Sequence, residues 1–249
     1  MIDLPWPTLV AVGLIVVLGY TVYGITGFGA SIVAVPLLAH FLPLRFAVPM
    51  MLVFDLIAGL LLGLKNRGHL DRGELLRLLP FLLVGMAVGA TLLAHAPERW
   101  LLIVLGGFVL GYAGMNLLRR TTPAVISTKW AMPAGAIGGV FTALYGTGGP
   151  IYTMYLARRL PDKSVLRATI GTLILVAAMA RLVLFTASGF YSQHGLLPLA
   201  FALVPCALAG YLAGSQLHAR LPTQRVAQVI WLLLLAGGAS LLWRGAASS

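Results

Sequence analysis

Tyr23-Gly24-Ile25-Thr26-Gly27-Phe28-Gly29-Ala30-Ser31, residues 23–31, interrupts an apolar run from 8 to 42, and Tyr145-Gly146-Thr147-Gly148-Gly149-Pro150, residues 145–150, interrupts a second from 131 to 160. Glycine admits positive φ and close backbone approach, and proline suits the first turn of a helix, where its missing amide leaves nothing unpaired. Each stretch reads as the end of one helix and the start of another. In hydrocarbon, backbone outside a helix is tolerated only against protein or a watery cavity. Two such tips, alike in sequence and setting, suggest a duplicated chain with its chemistry at the breaks.

The rest of the sequence supports a membrane setting. Of 249 residues, 60% are of hydrophobic type and 9% are charged, against about 25% charged in soluble domains; the mean hydropathy is +0.97. Apolar runs predict helices near 8–24, 30–42, 45–64, 75–95 and 99–119, then 131–145, 150–160, 164–188, 196–218 and 222–244. The series divides into two sets of five: residues 1–120 form a first transmembrane repeat, 121–129 a polar linker, and 130–249 a second repeat. Gly85, Gly89 and Pro97 recur as Gly210, Gly214 and Pro222 at one constant displacement.

Charge decides how the interrupted runs are read. If each is one broken span, each half crosses four times and the loop Lys and Arg divide evenly. If each is a hairpin that returns to its own side, Lys65, Arg67, Arg72, Arg77, Arg119, Arg120, Lys129, Arg158, Arg159, Lys163, Arg167, Arg220 and Arg225 share one face, opposite Arg45, Arg99 and Arg244. Thirteen against three is the positive-inside asymmetry of a membrane protein. The expected fold is therefore an all-α polytopic membrane protein of two inverted repeats. Each repeat is a broken, re-entrant helical hairpin plus three transmembrane helices, about eight membrane segments in all.

The tips carry the candidate binding residues Thr26, Gly27, Gly29 and Ser31, with Gly146, Thr147, Gly148 and Gly149. Free amides and the positive ends of helix dipoles, helped by hydroxyls, suit an oxyanion. Two ionisable residues are clearly mid-span, Asp55 and Arg181, where an unpaired charge is costly and functional by default. Arg181 can hold an anion's oxygens in bidentate fashion; Asp55 either neutralises Arg181 in an empty site or carries a coupling proton. The plainer readings are an Asp55–Arg181 ion pair that never meets substrate, or an Arg181 that snorkels outward. For the pairs Gly85/Gly89, Gly107/Gly111 and Gly210/Gly214, the plainer reading of close helix packing is preferred. Tyr152 and Tyr155 are read as either cavity lining or core.

Other functions find little support. The net charge of +11 lies in short loops, so orientation accounts for it better than nucleic acid binding does. Cys206 is the single cysteine, and the histidines at 40, 69, 95, 194 and 218 are scattered without metal spacing; no cofactor or metal is expected. No Ser–His, Cys–His or HExxH arrangement marks an intramembrane enzyme. The N-terminal MIDLPWP has neither basic region nor cleavage site and reads as no removable leader.

Gly27-Phe28-Gly29-Ala30-Ser31-Ile32-Val33-Ala34-Val35-Pro36 and Tyr145-Gly146-Thr147-Gly148-Gly149-Pro150 resemble the TauE/SafE sulfite exporter family. The likeness extends over nearly the whole chain, including Arg167-Ala168-Thr169 at the opening of a later helix and the glycine-rich third helix of each half. It implies transport of a small sulfur-containing anion, sulfite or an organosulfonate, across the bacterial inner membrane, with the glycine tips as binding elements. Where the family commonly has consecutive glycines, this chain has Gly29-Ala30-Ser31, which adds a hydroxyl and narrows the approach. The alternatives are an anion channel, an importer of another small oxyanion or carboxylate, and an accessory subunit of a membrane complex.

Overall fold

The computed structural model describes residues 5–26, 29–63, 70–118, 125–218 and 223–247. Among them are ten α-helices and no strand: α1 (Trp6–Thr26), α2 (Ser31–Leu38), α3 (Leu44–Gly63), α4 (Arg72–His95), α5 (Glu98–Leu118), α6 (Ala131–Tyr145), α7 (Gly149–Leu156), α8 (Lys163–Ala187), α9 (Leu196–His218) and α10 (Thr223–Ala247). Every apolar run in the sequence is a helix. Five helices in the described residues are long and apolar enough to cross a membrane, in α1, α4, α5, α8 and α9. α2 and α7, at eight residues each, are about 12 Å long and too short to cross alone.

Local chemistry starts and stops these helices. Asp71 caps α4 by accepting from the Glu74 amide at 2.9 Å, and Asp162 caps α8 by accepting from Ser164 N at 2.6 Å and Val165 N at 3.2 Å. α6 ends on Gly146 in the left-handed region, φ +71, with its amide and that of Thr147 returning to Thr142 O and Phe141 O. Pro150 stands in the first turn of α7. At the other tip Gly29 has φ +103, a conformation that disfavours any side chain.

Both short helices fold back on their predecessors. A methyl group at Gly19 of α1 would lie 2.8 Å from Ala34 Cβ of α2, and one at Gly138 of α6 would strike the Tyr152 ring of α7. The longer helices pack in pairs: α1 on α9, α4 on α6, α5 on α10 and α3 on α8. Glycines set the closest crossings. A Cβ at Gly85 or Gly89 would collide with the carbonyls of Ala136 or Val140, and one at Gly210 or Gly214 with those of Val17 or Thr21. These are the small-residue contacts expected of Gly85/Gly89 and Gly210/Gly214. Gly107 and Gly111 depart from expectation, since no described atom lies near either; Gly106 and Gly238 form the α5–α10 crossing instead.

The outer surface is apolar. Leu14 and Leu18 of α1, Val84 and Val88 of α4, Val104 of α5 and Phe201 of α9 all point outward and are exposed. In water that surface would be an extended liability, whereas hydrocarbon solvates it without cost.

Candidate functional site

The tips, more than a hundred residues apart in the chain, meet inside the bundle. Ser31, the first residue of α2, is 1% exposed; its Oγ would lie 2.7 Å from a Cβ placed on Gly146, and Arg181 Nη1 at 3.0 Å from the same point. Only a residue without a side chain fits there. Around this junction lies a cavity of about 50 Å³, lined by Gly29 of the first tip, Gly146, Gly148 and Gly149 of the second, and by Asp55 and Arg181 among others. One water needs about 10–15 Å³, so the space suits a few waters or one small anion.

Asp55, on α3, accepts from Tyr20 Oη at 2.7 Å through one carboxylate oxygen and from Ser31 Oγ at 3.1 Å through the other. It is half-buried and faces the cavity. Arg181, on α8, is 3% exposed. Its Nη1 donates to Thr142 O at 3.2 Å and its Nη2 to Val48 O at 3.1 Å. Thr142 O, in the last turn of α6, already accepts from the Gly146 amide at 2.9 Å, and Arg181 adds a second donor where the helix dipole favours a cation. Arg181 therefore caps α6 and is held to α3, while its Nε, also buried, has no partner. The guanidinium carbon stands 5.3 Å from the Phe185 ring centroid.

Two of the plainer sequence readings fail on this geometry. Arg181 does not snorkel outward, because it is buried. Nor does it pair directly with Asp55: both ion pairs within 4.0 Å among the described residues converge on Glu74. Asp55 and Arg181 instead face each other across one cavity.

The other predicted residues divide. Gly29, Gly146, Gly148 and Gly149 line the cavity, and Ser31 reaches it through Asp55 and Gly146. Thr147 is buried and its Oγ1 has no partner, but it is not on the cavity wall. Thr26 is the last residue of α1, and Gly27 lies outside the described residues. Tyr152 lines the cavity, whereas Tyr155 points elsewhere, donating to Glu74 at 2.6 Å.

Sequence reasoning missed Tyr20 and Thr142. The Thr142 hydroxyl lies 2.8 Å from Tyr152 Oη and donates to Gly138 O at 2.8 Å. It fills the place that a Cβ on Gly148 would need. Thr142 sits four residues before Gly146 in an apolar helix, and a hydroxyl about one turn from the tip was the available signal. Tyr20 had none beyond its helical spacing from Tyr23.

Comparison with known proteins is consistent with this architecture. A family model described as Sulfite exporter TauE/SafE matches residues 11–241. The chain is 30% identical over 201 residues to the probable inner membrane transporter protein TsaS of Comamonas testosteroni, covering 78% of this chain and 83% of that protein. No solved structure gives a significant match.

Proposed function

From the premise that the chain belongs to the sulfite exporter TauE/SafE family, we propose that it is a multi-pass secondary transporter of the bacterial inner membrane that exports sulfite or an organosulfonate by alternating access. The observation that carries this reading is Arg181: a buried guanidinium, anchored by two backbone carbonyls, with Nε unpartnered beside a cavity bounded by both glycine tips. Two donors are committed to positioning the fork, and the others remain for a ligand. Gly29, Ser31, Gly146, Gly148 and Gly149 would surround an anion with backbone, and Thr26, Gly27 and Thr147 are kept in the reading as the remaining tip residues on sequence grounds. The starts of α2 and α7 would add their dipoles. The coupling ion in this reading is a proton.

An inverted repeat is supported by the packing. α1 on α9 is answered by α6 on α4, while α3–α8 and α5–α10 are their own counterparts. That is the pattern of a two-fold axis exchanging residues 1–120 with 130–249 about the 121–129 linker. Two fold-back hairpins and six spans would make eight membrane segments, with the tips moving relative to the surrounding pairs. The name of the Comamonas testosteroni relative, a probable inner membrane transporter, supports the location.

The test is efflux of radiolabelled sulfite from proteoliposomes under an imposed pH gradient. Wild type should empty the vesicles. Arg181→Gln should raise the half-saturating concentration roughly 10- to 100-fold, the loss expected for a charged hydrogen-bond donor. Flux equal to that of empty liposomes for sulfite and for a panel of sulfonates would sink the substrate assignment. An Arg181→Gln variant with unchanged saturation would remove Arg181 from the site.

A further inference from the structure

We propose that Asp55 takes up one proton for each anion bound and that Ser31 converts this protonation into a hydrogen bond for the anion. The inference rests on the anion-transport reading above and assigns its coupling group and stoichiometry.

Among the described residues, Asp55 and Arg181 are the only carboxylate and guanidinium on the cavity wall. Their charges cancel while the cavity is empty. The groups facing Asp55 from the packed elements are otherwise neutral: Tyr20 and Tyr23 on α1, Ser31 on α2, Tyr191 in the turn after α8, and Tyr211 on α9 beyond them. An anion entering about 50 Å³ stands close to the carboxylate, and nothing else in the described wall compensates a second negative charge. Like charges in one site cannot both persist at low cost, and a proton on Asp55 removes the conflict.

The hydrogen bonds show how the proton is used. With Asp55 ionised, the Ser31 hydroxyl is committed as a donor to Oδ2 at 3.1 Å. A proton added to Oδ2 makes the carboxyl the donor and Ser31 Oγ the acceptor. The Ser31 hydrogen is then free to turn away from Asp55, and the oxygen already stands against Gly146 and the tip junction. Tyr20 stays in place on Oδ1. One proton is gained from water on one side and returned to water on the other when the anion leaves.

The experiment counts protons with a pH-sensitive dye trapped in proteoliposomes while radiolabelled sulfite is followed at the same pH. Sulfite binds protons itself, but that contribution is equal in wild type and variant and cancels in the difference. Asp55→Asn should show about one fewer proton per sulfite than wild type, while sulfite still exchanges against sulfite across the membrane. Asp55→Glu should keep the wild-type count, and Ser31→Ala should keep the count while weakening sulfite several-fold. Equal proton counts in wild type and Asp55→Asn overturn the inference while leaving anion transport intact. If Asp55→Asn carries nothing, Asp55→Glu decides: transport with the full count supports the carboxyl's role, and transport without it overturns it, as does no transport. Absence of sulfite flux in wild type removes the transport reading itself, and this inference with it.

Discussion

The first tip and the second are built alike and furnished differently. Each holds a glycine with positive φ between two helices, Gly29 at +103 shortly before α2 and Gly146 at +71 on the end of α6, and each is followed by an eight-residue helix that folds back on its predecessor. The first brings Ser31 to a carboxylate shared with Tyr20, and the second brings the end of α6 to a guanidinium. The likeness is in the scaffold, and the chemistry of the two sides is complementary. The surroundings differ as well: a Cβ on Gly29 meets no described atom, whereas one on Gly148 collides with the Thr142 hydroxyl and Gly138 O. Glycine is required by conformation alone at Gly29, by space alone at Gly148, and by both at Gly146.

That contrast is broken or sharpened most strongly by Gly148→Leu set beside Gly29→Ala. The leucine has no room and should displace α7 from α6, lowering sulfite flux in proteoliposomes roughly 100-fold, the scale of a misplaced site. The alanine meets only backbone strain of about 1–2 kcal/mol, and flux should fall less than about tenfold. Similar losses in both variants would show that the positive φ of Gly29 matters to flux as much as the lack of space at Gly148.

A smaller effect is expected where the hairpins end. The second is fastened by charge: Glu74, 2% exposed, accepts from Arg77 at 2.9 Å, from Arg159 at 2.9 and 3.0 Å and from Tyr155 at 2.6 Å. The first is held by Arg244 donating to Ala39 O, with Ser240 Oγ 3.3 Å from His40. Thermal unfolding in detergent should therefore show Glu74→Gln costing about 1–3 kcal/mol, since it leaves buried donors poorly matched, and Arg244→Gln about 0.5–1.5 kcal/mol. A reversed order would mean that the exposed fastening governs stability.

The smallest effect is pH dependence at the first fastening. Burial, and then the Arg244 guanidinium, hold His40 below the ordinary histidine value. A histidine depressed in the folded state contributes stability that is complete above its unfolded value of about 6.5 and is lost as pH falls through the folded value. Melting temperature should drop slightly from pH 7 toward pH 5, and His40→Gln should remove that component. A rise on acidification would reverse the sign.

Much of this was legible in the residues. The ten apolar runs matched ten helices, with 131–145 reproduced as α6 and 150–160 shortened to Gly149–Leu156. Glycine, proline and hydrocarbon length act locally, so helix starts, stops and tip positions follow from neighbouring residues. The repeated glycines also located the α4–α6 and α1–α9 crossings. Gly107 and Gly111 misled because helical spacing defines a face without saying what lies opposite, and the partner of α5 meets Gly106.

Asp55 and Arg181 stood out in the sequence because charge is scarce in such a chain, but their relation did not. An ion pair, an outward-reaching arginine and a shared cavity are equally compatible with two mid-span charges. Tertiary packing chose among them by placing Arg181 against carbonyls of α3 and α6, one of them Val48 O, 133 residues away in sequence. It also supplied Tyr20 and Thr142, hydroxyls whose place depends on which helices cross and in which register. The sequence by itself determined the membrane solvent, the helices and the two breaks, because these depend on local hydropathy and backbone freedom. Only the tertiary structure decided that the breaks meet, and that carboxylate and guanidinium face one cavity, because such contacts join groups whose separation along the chain carries no information about their distance in space.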